Sequence, residues 1–550
     1  MVAPKDTWTG RINVLTLKRL DEQINVLYRL GKYQDAARVA ETALKTARET
    51  YGPNHPYVVT CRSNLAQMKQ VCEDREVLGR LHAPSEAINP VKSKMVPKLA
   101  GGLLLAVIVF TWFIGGFSGS SSNNSQPVFA SVFPAGSRPY YSVKADFYPE
   151  RKMIEGEEKV IFECKEPTEE VIFNLYLNRY KNNSLNTSEI RSYALERGMD
   201  QGYIDILWVY YNRKTVSFKQ EGELLRISRK DDVFSPGEHI LEIGFRIKMP
   251  LLADRVGGNS RGIWLGNWLP TLSVDSKKRQ PTEIGDSYIN YSSTYEIEFM
   301  VPKEYTLVLS NTKKVRELKD ARVYYGVVER VRDLPVFLTR GYKVVSAGVN
   351  GTQINYYYFS SDSRAREVLA AAQRAFAYFR SIVGEYPWKQ LNIVENDMYL
   401  SGMEYSTLLL VSTQGMQDSL TQTVFHEVGH QWFYNIIGSD QYQAAFIDEG
   451  CVEFFASYAL KNYTPYSAAK LDGLNRNLGD FHSWPEYRDV HYRNGRRLFE
   501  TMYATLGKNE FENFIKEYYD RYKYGLVTRD EFKIIMEDKI GRRATGQLLN

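Results

Sequence analysis

The sequence predicts a multidomain protein: an α-helical N-terminal segment, a single transmembrane helix, a β-rich domain, and a C-terminal α/β domain. Three observations predict it. The 550 residues exceed what one hydrophobic core usually organises. Residues 99–117 (LAGGLLLAVIVFTWFIGGF) run for 19 positions without a charged side chain. The hydrophobic period is near two from about residue 138 to 359 and lengthens to a helical one from residue 364. A composition of 43% hydrophobic, 25% charged and 13% aromatic residues is globular and excludes wholesale disorder.

Residues 1–98 hold 16 Lys and Arg against 10 Asp and Glu, a balance of +6, so the net charge of +5 comes from before the uncharged stretch and the rest sums to −1. With no arginine-rich tract and no zinc-finger spacing, nucleic acid is not an expected partner. Within this segment Leu27, Gly31-Lys32-Tyr33, Ala36 and Ala43-Leu44 put small residues where paired helices approach closely. Tyr51-Gly52-Pro53-Asn54-His55-Pro56 then stops one helix and starts the next. Residues 15–75 resemble a tetratricopeptide unit of the kinesin-light-chain type, which implies a cytoplasmic protein partner or self-association. A plain helical hairpin is the alternative, because such repeats usually need about three copies to bury their apolar faces.

Residues 99–117 match the ~20 residues that span a ~30 Å hydrocarbon core. Lys92, Lys94 and Lys98 precede them, and no Lys or Arg follows until Arg138. The positive-inside rule then places the N-terminus in the cytoplasm and the C-terminal part outside. Residues 118–137, which include SGSSSNNSQ, form a polar tether. Alternating runs at 159–162, 171–177, 240–247 and 295–301 assign residues 138–359 to the β-rich domain. Residues 360–550 form the α/β domain. The four cysteines contain no C-x-x-C pair and are too few for a disulfide framework; whether Cys164 meets Cys451 stays open.

Phe425–Trp432 reads FHEVGHQW. His426 and His430 are four apart, so on a helix their rings leave one face and can share a metal. Glu427, turned about 100° from His426, can reach a water beside that metal without ligating it. Asp418 or Ser419 is placed to cap the helix and Gly438 to stop it. A catalytic zinc takes three protein ligands and keeps one position open. A second helical pattern begins near Asp448 and carries Glu449, separated from His430 by 18 residues, which leaves room for a loop and a returning carboxylate. The expected set is therefore His426, His430 and Glu449 around one Zn2+ per chain. Cys451 points away and packs, whereas Glu453 either hydrogen-bonds a ligand histidine or faces solvent.

H-E-x-x-H followed after 18 residues by Glu-Gly resembles the aminopeptidase N family of zinc metallopeptidases, the gluzincins. Gly402-Met403-Glu404-Tyr405 is similar to that family's G-x-M-E-N motif. FRSIVGEYP at 379–387 is similar to its approach helix and turn, and Tyr492-Arg493-Asn494-Gly495 to its Y-x-K-G segment. The resemblance covers residues 138–540 and implies a saddle-like β domain followed by a thermolysin-like catalytic domain. Tyr405 stands where the family has Asn, Phe446 where it has Trp, and Asn494 where it has Lys. The family's large C-terminal helical domain is expected to be missing.

The resemblance further implies hydrolysis of N-terminal residues from peptides. Glu427 would be the general base, Tyr492 the donor to the developing oxyanion, and Glu404, beside Gly402 and Met403, the partner of the substrate's α-ammonium. An endopeptidase or epoxide-hydrolase-like use of the same zinc, and a non-catalytic membrane scaffold, are the rival expectations. The strand at 406–411 (STLLLV) is expected at a sheet edge along which a peptide can lie. The lysine bias predicts that protease added to intact cells trims the C-terminal domain and spares residues 1–98; the reverse pattern would refute the orientation.

Overall fold

The computed structural model describes residues 33–52, a few neighbouring N-terminal positions, and residues 138–549 apart from 182–200, 230–231, 251–253, 275–283, 399, 413–418 and 462–470. The chain divides into two compact units, Met1–Gly119 and Ser120–Asn550. The expected transmembrane helix at 99–117 and the tether at 118–137 lie outside the described residues. Among the described residues no helix is long and apolar enough to cross a membrane.

In the first unit, helix α1 (Tyr33–Tyr51) buries Ala36, Ala40, Ala43 and Ala47 along one stripe. Leu20, Ile24 and Leu65 pack around the first three of these alanines, and Leu17, Val58 and Cys61 around the last. Methyl-sized side chains let helices approach closely, which is what the small-residue pattern required.

The second unit begins with an eight-stranded sheet. Its central strands are β1 (Tyr140–Tyr148), β2 (Met153–Cys164), β3 (Gly237–Lys248), β4 (Ser293–Pro302) and β5 (Ala321–Val331). They lie in the order β5-β4-β1-β2-β3, with β1 and β4 parallel and the other pairs antiparallel. In β4, Tyr295, Ile297, Phe299 and Val301 are buried while Glu296 and Glu298 face outward, the alternation the sequence displays. The run at 171–177 is shorter than expected: the strand is Glu170–Asn174, and Tyr176–Tyr180 forms a 3-10 turn whose Tyr176 hydroxyl donates to the Ile289 carbonyl, 3.1 Å away.

A five-stranded sheet carries the α/β part. Its strands are β6 (Lys343–Val349), β7 (Thr352–Tyr358), β8 (Gln390–Asn396), β9 (Gly402–Tyr405) and β10 (Leu408–Ser412). They are ordered β6-β7-β8-β10-β9. Because β7 pairs with β8 in parallel, this sheet starts at Lys343 and the boundary read at 359/360 marks a change of period inside it. Strand β10 is interior, parallel to β8 and antiparallel to β9, so the edge expected at 406–411 belongs instead to β9. Its unbroken apolar run is the mark of a strand buried on both faces rather than of an edge. Helix α2 (Asp362–Ile382) joins β7 to β8, capped by the Ser361 hydroxyl, and buries Val368, Phe376 and Phe379.

Arg332, just beyond β5, is 2% exposed and binds the β domain to the α/β part. Its guanidinium donates to the carbonyls of Tyr434, Asn290 (3.0 Å), Ile436 (3.3 Å) and Gly525. Next to it, Asp333 Oδ1 accepts from the Ser406 amide at 2.9 Å. Burial lowers the Arg332 pKa to about 10, still charged at neutral pH. A buried carbonyl that loses its donor costs about 1–3 kcal/mol. Arg332→Met should therefore lower the stability of the protein by about 3 kcal/mol or more in urea unfolding, and a loss below ~1 kcal/mol would show that the carbonyls find other donors.

Candidate metal centre and active-site cleft

Helix α3 (Leu420–Gly429) presents His426 and Glu427, and His430 caps its C-terminal end. Ser419 occupies the N-cap position without a side-chain bond to the helix. The helix stops eight residues before the expected Gly438, which lies in the short strand Gly438–Ser439, where a Cβ would overlap the Arg332 guanidinium. Helix α4 (Glu449–Ala459) begins with Glu449, whose amide donates to Asp448 Oδ1 at 2.8 Å. Asp448 is fixed in turn by Ser439 Oγ (3.1 Å) and Gln441 Nε2 (2.7 Å).

These elements bring the three expected metal ligands together. His426 Nε2 and His430 Nε2 are 3.0 Å apart, and Glu449 Oε2 lies 3.1 Å from the first and 3.3 Å from the second. A tetrahedral zinc with bonds of ~2.0 Å has ligand–ligand edges of ~3.3 Å. The outer nitrogens are committed elsewhere. His430 Nδ1–H donates to the Phe433 carbonyl at 2.9 Å, and His426 Nδ1–H to Glu453 Oε2 at 3.2 Å. Both Nε2 lone pairs then converge with the Glu449 oxygen, an arrangement of three acceptors that a cation satisfies. The donor set fits zinc. Of the two readings of Glu453, the hydrogen bond to a ligand histidine is the one realised, with Gln422 Nε2 holding the same carboxylate at 3.2 Å. Cys451 is buried, and Cys164 and Cys451 are both free thiols.

A cavity of about 430 Å³ opens over this centre. Glu427 lines it with Oε2 buried and unbonded; burial pushes its carboxyl up to about 7. Gly402, on edge strand β9, faces Glu427 so closely that a Cβ there would overlap the carboxylate. Two residues along β9, Glu404 is 5% exposed and its Oε1 has no hydrogen-bond partner. Burial holds its pKa well above the usual carboxylate range. Met403 borders the cavity from the hydrophobic cluster that also holds Val394 and Leu410.

Tyr492 lies in a π-helical segment (Arg488–Asn494) leading into helix α5 (Gly495–Leu506). Its ring stacks on His426 with centroids 5.8 Å apart and planes within 7°. Two glycines set that approach: a Cβ on Gly450 would come within 2.5 Å of the Gly495 backbone, so α4 and the start of α5, next to the π segment, touch main chain to main chain. Burial keeps the Tyr492 phenol well above its ordinary pKa, protonated and able to donate.

The sequence reading missed Asp286 and Arg255. The carboxylate oxygens of Asp286, Glu404 and Glu449 all lie within 4.8 Å of one another. Asp286 is anchored by Arg255 through Nε and through Nη2 at 3.2 Å, and Arg255 also reaches Asp254 and lies over the Trp484 ring. No motif surrounds Asp286 in the sequence, so only the fold carries the signal.

Comparison with known proteins agrees with this geometry. Residues 368–483 match the peptidase family M1 domain, a span that ends before Tyr492, and residues 20–71 match a tetratricopeptide repeat. Aminopeptidase M1-A of Oryza sativa subsp. japonica is 22% identical over 371 residues, 58% of this chain and 41% of that protein. Aminopeptidase M1-B of the same species is 20% identical over 289 residues, 46% of this chain and 33% of that protein. The chain thus spans less than half the length of these relatives. Among solved structures, an M1 zinc metallopeptidase from Deinococcus radiodurans aligns with a TM-score of 0.53 at 13% identity, covering 76% of this chain and 96% of that one. The second unit therefore has the fold of an M1 zinc metallopeptidase.

Without metal, burial would lower the pKa of His430, but Glu449 outweighs it and raises the imidazole to about 9; His426 is raised likewise. Metal uptake at pH 7 must then displace protons, and affinity must fall as pH decreases. We expect one zinc per chain after dialysis, proton release on titration calorimetry in buffers of different ionisation enthalpy, and no stoichiometric zinc in His426→Ala/His430→Ala. Glu453→Gln should weaken zinc about 10–100-fold.

Proposed function

We propose that the chain is a membrane-anchored zinc aminopeptidase that removes N-terminal residues from peptides outside the cytoplasm. The observation that carries the aminopeptidase reading is the pair of buried carboxylates, Glu404 and Asp286, set beside the His426/His430/Glu449 centre. A substrate ammonium buried in such a cleft needs a counter-charge, and a carboxylate with an unbonded buried oxygen needs a donor. The membrane anchor and orientation rest on the uncharged stretch at 99–117 and its lysine flank. A protein partner for the first unit rests on the repeat match and the alanine stripe of α1.

The chemistry zinc supplies when bound is Lewis-acid polarisation of the scissile carbonyl and a lowered pKa for water. Glu427 accepts the proton of the attacking water and delivers it to the leaving amine as the C–N bond breaks. Tyr492 donates to the oxyanion as it forms, a contact worth about 3–4 kcal/mol. Glu404, with Asp286 behind it, holds the ammonium and so fixes which peptide bond meets Glu427. The outer edge of β9 offers main-chain groups along which the substrate backbone pairs.

Compare kcat/KM for free and N-acetylated peptides. Acetylation should cost on the order of 2–5 kcal/mol, Glu404→Ala about as much, and the two losses should not add because they remove one interaction. Asp286→Asn should narrow the preference for free amines, and Glu427→Gln should abolish most turnover while zinc stays bound. Equal cleavage of free and blocked peptides by the parent protein would replace the aminopeptidase reading with an endopeptidase.

A further inference from the structure

The cleft carries two groups of charged side chains around the metal centre, and the second has no part in the mechanism above. The acidic group, Asp286 and Glu404, lies beside Glu449. In the second, His426 turns Nδ1 toward Glu453, and Arg496 stands near enough for its charge to act on that carboxylate. Arg493 and Arg496 both border the cavity, and both follow Tyr492 on its own segment. Arg496 is one helical turn beyond Tyr492, whose ring stacks on His426, and its charge reaches Glu453; Arg493 adjoins Tyr492 and borders the same cavity.

We propose that Arg493 and Arg496 bind a carboxylate on the residue that follows the scissile bond, so that short peptides or peptides with an acidic second residue are the substrates. This rests on the aminopeptidase reading for the direction in which the substrate lies. With the ammonium at Glu404 and the first carbonyl at the metal centre, the next residue passes over His426 toward Glu453 and Arg496. Glu453 does not repel a carboxylate there as a bare charge would, because His426 and Gln422 both donate to it. Arg496, its side chain 12% exposed, commits Nε to Glu500 Oε1 at 2.6 Å, which orients the guanidinium fork at the cavity wall. The Arg493–Asp489 pair, 3.0 Å apart with both side chains more than half exposed, is the kind of surface contact that a substrate carboxylate displaces at little cost. A cavity of about 430 Å³ lies at the small end of ligand sites, as a short substrate requires.

The test separates binding from turnover. Zinc-loaded Glu427→Gln protein is titrated calorimetrically with Ala-Ala, Ala-Ala amide and Ala-Glu amide. Ala-Ala, Ala-Glu amide or both should bind roughly tenfold or more tightly than Ala-Ala amide. A terminal carboxylate that suffices assigns short peptides, and a Glu side chain that suffices assigns an acidic second residue. Adding Arg493→Ala and Arg496→Gln should abolish the difference while leaving the affinity for Ala-Ala amide unchanged, which also reports that the cleft is intact. Because Glu500 loses its guanidinium partner in that variant, Arg493→Ala alone is measured beside it and should reduce the difference severalfold. Equal binding of all three ligands, binding of none, or a difference that survives both substitutions overturns the proposal. Hydrolysis of Ala-Ala amide by the parent protein without carboxylate preference removes only this inference; carboxylate-dependent binding without any hydrolysis by the parent protein removes the peptidase reading and keeps it.

Discussion

One buried guanidinium holds the metal-binding helix in register with the rest of the catalytic unit. Arg332 satisfies carbonyls at Tyr434 and Ile436, just past His430, together with Asn290 of the β domain and Gly525 of the C-terminal helices. The chain leaves α3 through a turn that includes Tyr434 at φ +138°, a conformation bulky residues seldom adopt, and the cationic donors compensate for it. His430 lies inside that turn, its Nδ1 bonded to Phe433, so the orientation of a metal ligand depends on the same hydrogen bonds. A hydrophobic side chain fills such a space but satisfies no carbonyl. The charge is retained despite the cost of its burial because it organises three segments at once.

The centre itself concentrates negative charge in a buried site. Glu404, Asp286, Glu427 and Glu449 would repel one another without compensation, and burial already drives Glu404 and Glu427 toward their neutral forms. Zinc at the centre would neutralise Glu449, Arg255 offsets Asp286, and under the proposed function a bound ammonium completes the balance at Glu404. Metal and substrate therefore complete the electrostatics of the cleft. Polar pairs that are ordinary at a surface gain weight here through the low local dielectric.

How far the site could be read from the sequence follows the range of the interactions involved. His426, Glu427 and His430 are legible because helical geometry fixes them within one turn. Glu449 is legible because one loop and one helix start separate it from them. Gly402, Met403, Glu404 and Tyr492 were identified through resemblance to a family, with no local rule that places them. Asp286 comes from a loop more than a hundred residues before Glu404 and meets it only through tertiary packing. The same limit explains the fold errors. Gly438 looks like a helix stop, but the chain turns at Gly429 because Phe433, Ile437 and Arg332 bind the segment there. The apolar run of β10 looks like an edge strand, although continuous burial belongs to the middle of a sheet.

The contact between Gly450 and Gly495 has an evolutionary consequence. Neither residue touches the cavity, yet a methyl group on either must push α4 and the Tyr492 segment apart. The two positions are mutually locked, since relaxing one gives no freedom to the other while the opposing backbone stays in place. A scan of substitutions scored by turnover would rank both with Glu427, the proposed base. Scored by thermal stability, the pair would separate from Glu427, whose replacement leaves the packing intact. Sequence drift in this region is thus confined by a spacing between two main chains, and the chemistry inherits that confinement through the ring of Tyr492.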